Sequence, residues 1–233
     1  MSFLFAPPAI PSLQVIGSAD RFPVHRIYCV GRNFAEHARE MGSEVDRGAP
    51  IFFGKPADAV VAGGGEIVYP RGTIDLHYEV EMVVALGSDA PAGRLSADVA
   101  DSLVFGYTVG VDLTRRDLQA RAKSKGLPWD TAKGFDQSAP LGALLPKAQF
   151  GKLASKRLWI EVNGELRQQA LLGEMVWDVN SILIELSALY SLRAGDLIFM
   201  GTPAGVAALV PGDRFRAGID QLVTLDGEIV SRG

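Results

Sequence analysis

Residues 77–86 constrain this chain more than any other stretch. Tyr78, Val80, Met82, Val84 and Leu86 alternate with His77, Glu79, Glu81, Val83 and Ala85. A period of two predicts a β-strand with one wholly apolar face. The other face carries two glutamates side by side. Carboxylates set together on an apolar strand repel each other and lose hydration, and a divalent cation would offset both costs. Oxygen ligands suit Mg²⁺, Mn²⁺ or Ca²⁺ better than zinc. The alternative is the wet outer face of a half-exposed strand.

Asp112 adds a third acid. It closes a strand predicted over 104–111, just before a helix predicted over 115–123. It reads either as a helix N-cap or as a third ligand at a strand end, where open sites gather. Three carboxylates would leave about three positions of an octahedral Mg²⁺ for water and substrate.

Short strands are predicted at 27–30, 51–53, 66–69, 159–162, 166–169, 197–200 and 222–225. Helices are predicted at 33–41, 97–103 and 179–190. Asn33 with Glu36 three residues later reads as a capping box, and Asn163-Gly164 as a hairpin turn. Many short strands with few helices predict an α+β, mainly β fold with helices at its margins. Pro7, Pro8, Pro11 and Pro23 make residues 1–25 an extended arm, leaving 26–233 as a single catalytic domain.

Composition narrows the function. With 233 residues, 48% of them hydrophobic and 21% charged, the chain can bury a large core without staples. A net charge of −4 lacks the basic field that nucleic-acid binding needs. No apolar run approaches the roughly 18 residues of a membrane span, and no signal peptide is visible. Cys29 is the lone cysteine, so intrachain disulfides are excluded and a cytoplasmic, reducing compartment is expected. No G-x-S-x-G elbow or phosphate loop occurs, and Gly63-Gly64-Gly65 has no following helix signal for dinucleotide binding.

Other candidates lie elsewhere in the sequence. His37 and Glu40, at i and i+3 of a helix, match a general base oriented by a carboxylate, or a plain surface pair. Lys133 and Lys55 could each neutralise an anion or hold a wet loop position. Arg116 and Gln119 could reach a substrate carboxylate, although exposure is their default. Gly201-Thr202-Pro203, with Gly205 close behind, follows a strand and can present backbone N–H groups to an anion. His25 and His77 suit structural roles.

Six segments occur together in order: Val30-Gly31-Arg32-Asn33-Phe34-Ala35-Glu36-His37, Phe53-Gly54-Lys55-Pro56, His77-Tyr78-Glu79-Val80-Glu81, Gly110-Val111-Asp112-Leu113-Thr114-Arg115-Arg116-Asp117, Thr131-Ala132-Lys133-Gly134-Phe135-Asp136 and Gly201-Thr202-Pro203. In this the chain resembles the fumarylacetoacetate hydrolase family from about Arg26 to its C-terminus. The resemblance implies that family's layered β-sheet fold, a mixed β-sandwich roll, and a homodimer. It implies Mg²⁺ or Mn²⁺ at Glu79, Glu81 and Asp112, and His37 with Glu40 as a water-activating dyad on a segment that can act as a lid. Lys133 becomes the electrophilic or oxyanion-stabilising lysine. Arg32, Lys55, Arg116, Gln119, Gly201 and Thr202 become candidates for substrate contact.

The short arm resembles the small acylpyruvase-type members, and the opening from Phe3 to His25 resembles those that cleave fumarylpyruvate in aromatic-acid breakdown. The implied partner is a small 2,4-dioxo acid. Two other functions stay open: decarboxylation or isomerisation of oxaloacetate or oxo-dienoic acids on the same metal site, and an inactive binding protein of the same fold.

Overall fold

The computed structural model describes residues 2–40, 42 and 48–232. The alternating stretch forms a strand but breaks into two. Leu76–His77 joins a small sheet between Thr114–Arg115 and Ala208–Leu209. Val80–Leu86 enters an eight-stranded mixed sheet, antiparallel to Val104–Val111 on one side and to Leu197–Phe199 on the other. Its two faces go to two cores. Tyr78, Val80, Met82, Val84 and Leu86 belong to the larger one, Val83 and Ala85 to the smaller. The register is therefore strongly specified, because a slip of one residue would turn Glu79 and Glu81 into the larger core.

That larger core includes Ile160, Ala217, Leu225 and Ile229 from a five-stranded sheet. Its strands Arg157–Val162 and Glu165–Leu171 meet at the expected hairpin. Asn163 and Gly164 both adopt positive φ, 54° and 81°, as a tight two-residue turn demands. The fold is mainly β, an eight-stranded and a five-stranded sheet with two smaller ones and short helices at the margins.

Several elements differ from expectation. Within 1–25, Ser12–Gln14 pairs with Arg21–Pro23. Leu13, Val15, Phe22 and Val24 pack with Val83, Ala85, Leu141 and Phe199 in the smaller core. This stretch thus covers the back of the eight-stranded sheet, while Phe3, Leu4, Phe5 and Ile10 stay exposed. The helix expected over 33–41 is Ala35–Glu40, and Met41 lies outside the described residues. Asn33 is not its cap. Its buried amide donates to the carbonyls of Trp177 and Met200 and accepts from Trp177 N–H. A fully enclosed Asn needs partners for both ends, and this tertiary set supplies them.

The helix Ala97–Leu103 and the strand Val104–Val111 match the expected bounds. The helix expected over 115–123 is Arg116–Lys125, ended by Gly126 at φ 63°. Val179–Leu189 starts at Asp178, whose side chain accepts from Ser181 N–H. No helix among the described residues is long and apolar enough to cross a membrane.

Candidate active site

Strand register builds the acidic cluster. Val80 stands opposite Val111 and Glu81 opposite Gly110. Asp112 N–H donates to the Glu79 carbonyl at 2.8 Å, so Asp112 meets Glu79 across the strand ends. One oxygen from each of Glu79, Glu81 and Asp112 lies within 4.8 Å of the others, and all three residues are buried. Asp112 is therefore not a helix cap, since two strand residues separate Leu113 from the helix starting at Arg116. Asp112 Oδ1, though buried, accepts no hydrogen bond. Three buried hard oxygen donors, one with free lone pairs, fit a divalent cation such as Mg²⁺ or Mn²⁺.

Cations stand around the acids. Lys133, expected in a loop, ends the single-turn helix Asp130–Lys133 and is buried. Its ammonium donates to Glu79 Oε2 at 2.8 Å, Asp112 Oδ2 at 2.5 Å and Thr114 Oγ1 at 2.6 Å. All three of its N–H bonds are taken, so an oxyanion would have to displace one of them. Lys55 is buried rather than wet. It lies 2.8 Å from Asp112 Oδ1 without hydrogen-bond alignment, and donates to the carbonyls of Leu113 and Lys133. It thus stands behind Asp112, away from the cleft wall. Arg116 and Gln119 are buried too, against the default of exposure. Arg116 donates to Glu79 Oε1 at 2.5 Å and to Gln119 Oε1 at 2.6 Å. This leaves the NH₂ of Gln119 on the cleft wall.

The field splits the two glutamates. Burial alone would raise Glu79, but Lys133 and Arg116 hold it well below the usual carboxylate range. Burial pushes Glu81 well above that range, and Asp112 and Glu79 add to the rise. Burial would lower Lys133, but Asp112 and Glu79 keep it above its ordinary value. A cation entering the cluster must therefore displace the Glu81 proton. Metal affinity is expected to rise with pH, by up to about tenfold per unit, as one proton is released. Calorimetric titration of Mg²⁺ or Mn²⁺ at several pH values reads this, and a pH-independent affinity would contradict it.

The expected dyad forms. His37 is buried, and its Nδ1 lies 3.2 Å from Glu40 Oε2. The tautomer protonated at Nδ1 makes this bond and leaves Nε2 as the base. Burial lowers His37 below its ordinary 6.5, outweighing the opposing pull of Glu79 and Glu40. His37, Glu79, Glu81 and Lys133 line one cleft. His25 and His77 serve structure instead, paired to Asp196 at 2.8 Å and Asp75 at 2.9 Å.

The glycine-rich turn does meet acidic side chains, and both belong to the protein. Gly201 N–H donates to Glu81 Oε2 at 2.6 Å, and Gly205 N–H to Glu40 at 3.1 and 3.2 Å. One turn thus orients a cluster acid and the dyad acid. Gly201 sits at φ 93°, and a Cβ there would stand 2.7 Å from Asn33 Cβ, so the position requires glycine. Thr202 is buried on the cleft wall and accepts from Gln168 Nε2 at 2.9 Å. Sequence reasoning missed Gln168. Its amide also donates to the Pro203 carbonyl and accepts from Val80 N–H, binding the turn to the glutamate strand. It also missed Thr114 beside Lys133, and Lys123 and Trp129 on the cleft wall. Arg32, at φ 60°, lines the same cleft.

A layered β fold presenting three enclosed acids, a lysine and a histidine–glutamate pair defines a class of site that could hold a divalent cation. The chain belongs to the fumarylacetoacetate hydrolase family: residues 26–230 match its model, described as Fumarylacetoacetate (FAA) hydrolase C-terminal. Among solved structures, it is similar to a fumarylpyruvate hydrolase from Pseudomonas aeruginosa in complex with Mn²⁺ and pyruvate. Identity is 44%, coverage 99% of this chain and 100% of that one, and the TM-score 0.94. A candidate fumarylpyruvate hydrolase from Burkholderia cenocepacia is 47% identical with full coverage of both chains and a TM-score of 0.91. Among curated relatives, the mitochondrial oxaloacetate tautomerase FAHD1 of Rattus norvegicus is 41% identical over 199 residues, 85% of this chain and 89% of the relative.

Proposed function

We propose that this protein is a metal-dependent hydrolase that cleaves the carbon–carbon bond of a 2,4-dioxo acid, with fumarylpyruvate giving fumarate and pyruvate. The carrying observation is that Glu79 and Glu81 of the acidic cluster and His37 of the pair with Glu40 line a single cleft. The 44% and 47% identities to fumarylpyruvate hydrolase structures, at 99% and 100% coverage of this chain, support the substrate.

Glu79, Glu81 and Asp112 would hold the Mg²⁺ or Mn²⁺. When bound, the cation supplies Lewis-acid charge at the substrate's C1 carboxylate and C2 oxygen. His37 Nε2 takes a proton from water, whose oxygen bonds to C4 of the substrate. Glu40 keeps the imidazole oriented and stabilises its charged form. The C3–C4 bond then breaks, its electron pair passing to C3 of the pyruvate fragment. The imidazolium proton goes to C3, and the new carboxylic acid releases its proton to solvent. Lys133 and Arg116 hold Glu79 ionised throughout. The amide N–H groups of Gly201 and Gly205 fix Glu81 and Glu40. Gln119 and Thr202 offer polar groups to the keto-acid end. The same reading places the protein in aromatic-compound breakdown, in the cytoplasm and as a homodimer.

A second reading follows from the 41% identity to oxaloacetate tautomerase. Tautomerisation or decarboxylation of oxaloacetate needs the metal site but no attacking water, so the dyad favours hydrolysis. Turnover with Mg²⁺ on fumarylpyruvate, acetylpyruvate and oxaloacetate, with chelator controls, separates the readings. Chelator-sensitive release of fumarate and pyruvate, faster than any reaction of oxaloacetate, is expected. Inert fumarylpyruvate beside rapidly converted oxaloacetate would replace the first reading with the second.

A further inference from the structure

The cleft wall carries two cations without counter-charge. Arg116 is neutralised by Glu79, Lys133 by Glu79 and Asp112, and Lys55 by Asp112. Arg32 and Lys123 line the same cleft, yet neither makes an ion pair with a carboxylate among the described residues. Arg32 Nε is buried without a hydrogen-bond partner. Lys123 follows Arg116 by seven positions on the helix Arg116–Lys125, so it shares the face of Arg116 and Gln119. Its ammonium lies 5.2 Å from the centroid of the Trp129 ring, which holds it at the wall. Burial, and then the positive fields of Arg116 and Arg32, pull Lys123 down to about 8.

We propose that Arg32 and Lys123 form a subsite for a second carboxylate at the far end of the acyl chain, so that the cleft selects dicarboxylic acylpyruvates over those with an uncharged acyl group. This rests on the acylpyruvate reading and deepens it. An anion between the two cations offsets their mutual repulsion and lost hydration. An uncharged acyl group leaves both unpaired, and that difference is what discriminates. Phe53 and Trp129, with ring centroids 5.7 Å apart, line the same cleft and give a flat unsaturated acyl chain an apolar wall. The other cations are excluded by their partners: Arg116 is held by Glu79, and Lys55 lies behind Asp112.

The test compares fumarylpyruvate with acetylpyruvate in the Mg²⁺-loaded enzyme and its Lys123→Gln, Lys123→Arg and Arg32→Gln variants. Lys123→Gln and Arg32→Gln are each expected to lower the fumarylpyruvate-to-acetylpyruvate ratio of kcat/KM by about tenfold to a hundredfold, mainly through KM. Lys123→Arg should restore most of the ratio. Equal losses on both substrates, or an unchanged ratio, would overturn the subsite while leaving the hydrolase reading intact. A binding titration with the same two acids separates the two failures. It uses the His37→Gln protein, with and without Lys123→Gln. If the parent enzyme cleaves neither acid, the hydrolase reading fails. The subsite then stands if Lys123→Gln weakens fumarylpyruvate binding at least about tenfold more than acetylpyruvate binding, and falls if it does not or if neither acid binds.

Discussion

Glu81→Gln is expected to lower kcat/KM by about a thousandfold or more and to remove stabilisation by divalent cations. The substitution is close to isosteric. Its side-chain oxygen can still accept from Gly201 N–H, the bond Glu81 makes at 2.6 Å. It changes a carboxyl that burial keeps protonated until a cation enters and that no lysine or arginine pairs among the described residues, so the metal-free fold should be little affected. Glu79→Ala should abolish activity as well, but it would also strip Lys133 and Arg116 of a buried partner. Unpaired buried charge costs about 3–5 kcal/mol, so lost folding would be mixed with lost metal. Thermal melts give the independent readout. A cation at about a hundred times its Kd stabilises by about 2.7 kcal/mol, or about 5–10 °C for a domain of this size. The parent should show that shift and Glu81→Gln should not. An undiminished shift in the variant would remove Glu81 from the metal site.

His37→Gln is expected to keep the metal-dependent shift and to lose about 10²- to 10⁴-fold in kcat, with KM little changed. The two variants thus separate binding from proton transfer: one loses both the metal and turnover, the other turnover alone. The pH profile carries a second signature. Neutral His37 is the base, so activity is present above its pKa and lost as pH falls through it. Because burial holds His37 below 6.5, the acid limb of kcat/KM should lie below that value. A cation at the neighbouring acids pushes the same way. The stability sign runs the same way. Below the unfolded value the unfolded chain binds the extra proton, so His37 disfavours the fold as pH falls. Full activity of His37→Gln would eliminate the dyad.

What was legible in the sequence was local pattern. The split faces of residues 77–86 became two separate cores, and the helix Ala97–Leu103, the strand Val104–Val111 and the Asn163-Gly164 turn formed where periodicity and turn chemistry put them. Strands of two or three residues, such as Val60–Ala62 and Ala139–Leu141, are too short to show a period. Asn33 was misread as a cap because its partners Trp177 and Met200 lie 144 and 167 residues away. Gln168 is a buried residue on a strand whose neighbours are mostly exposed, and nothing local marks it. Lys123 sits in a polar helix that reads as solvated until the fold turns that face toward the acids. For Lys55 and Lys133 the local sequence left a wet loop position open beside an anion-neutralising one, for the same reason. The carboxylates that neutralise them arrive from other strands.

The central claim is that water activated at His37 attacks the distal carbonyl, and isotope labelling tests it most directly. A single turnover of fumarylpyruvate in ¹⁸O-enriched water with the Mg²⁺-loaded enzyme, quenched and analysed by mass spectrometry, follows that oxygen. Fumarate should carry at least one solvent oxygen in its new carboxylate. Fumarylpyruvate recovered uncleaved, or fumarate formed without solvent oxygen, would contradict the hydrolytic account.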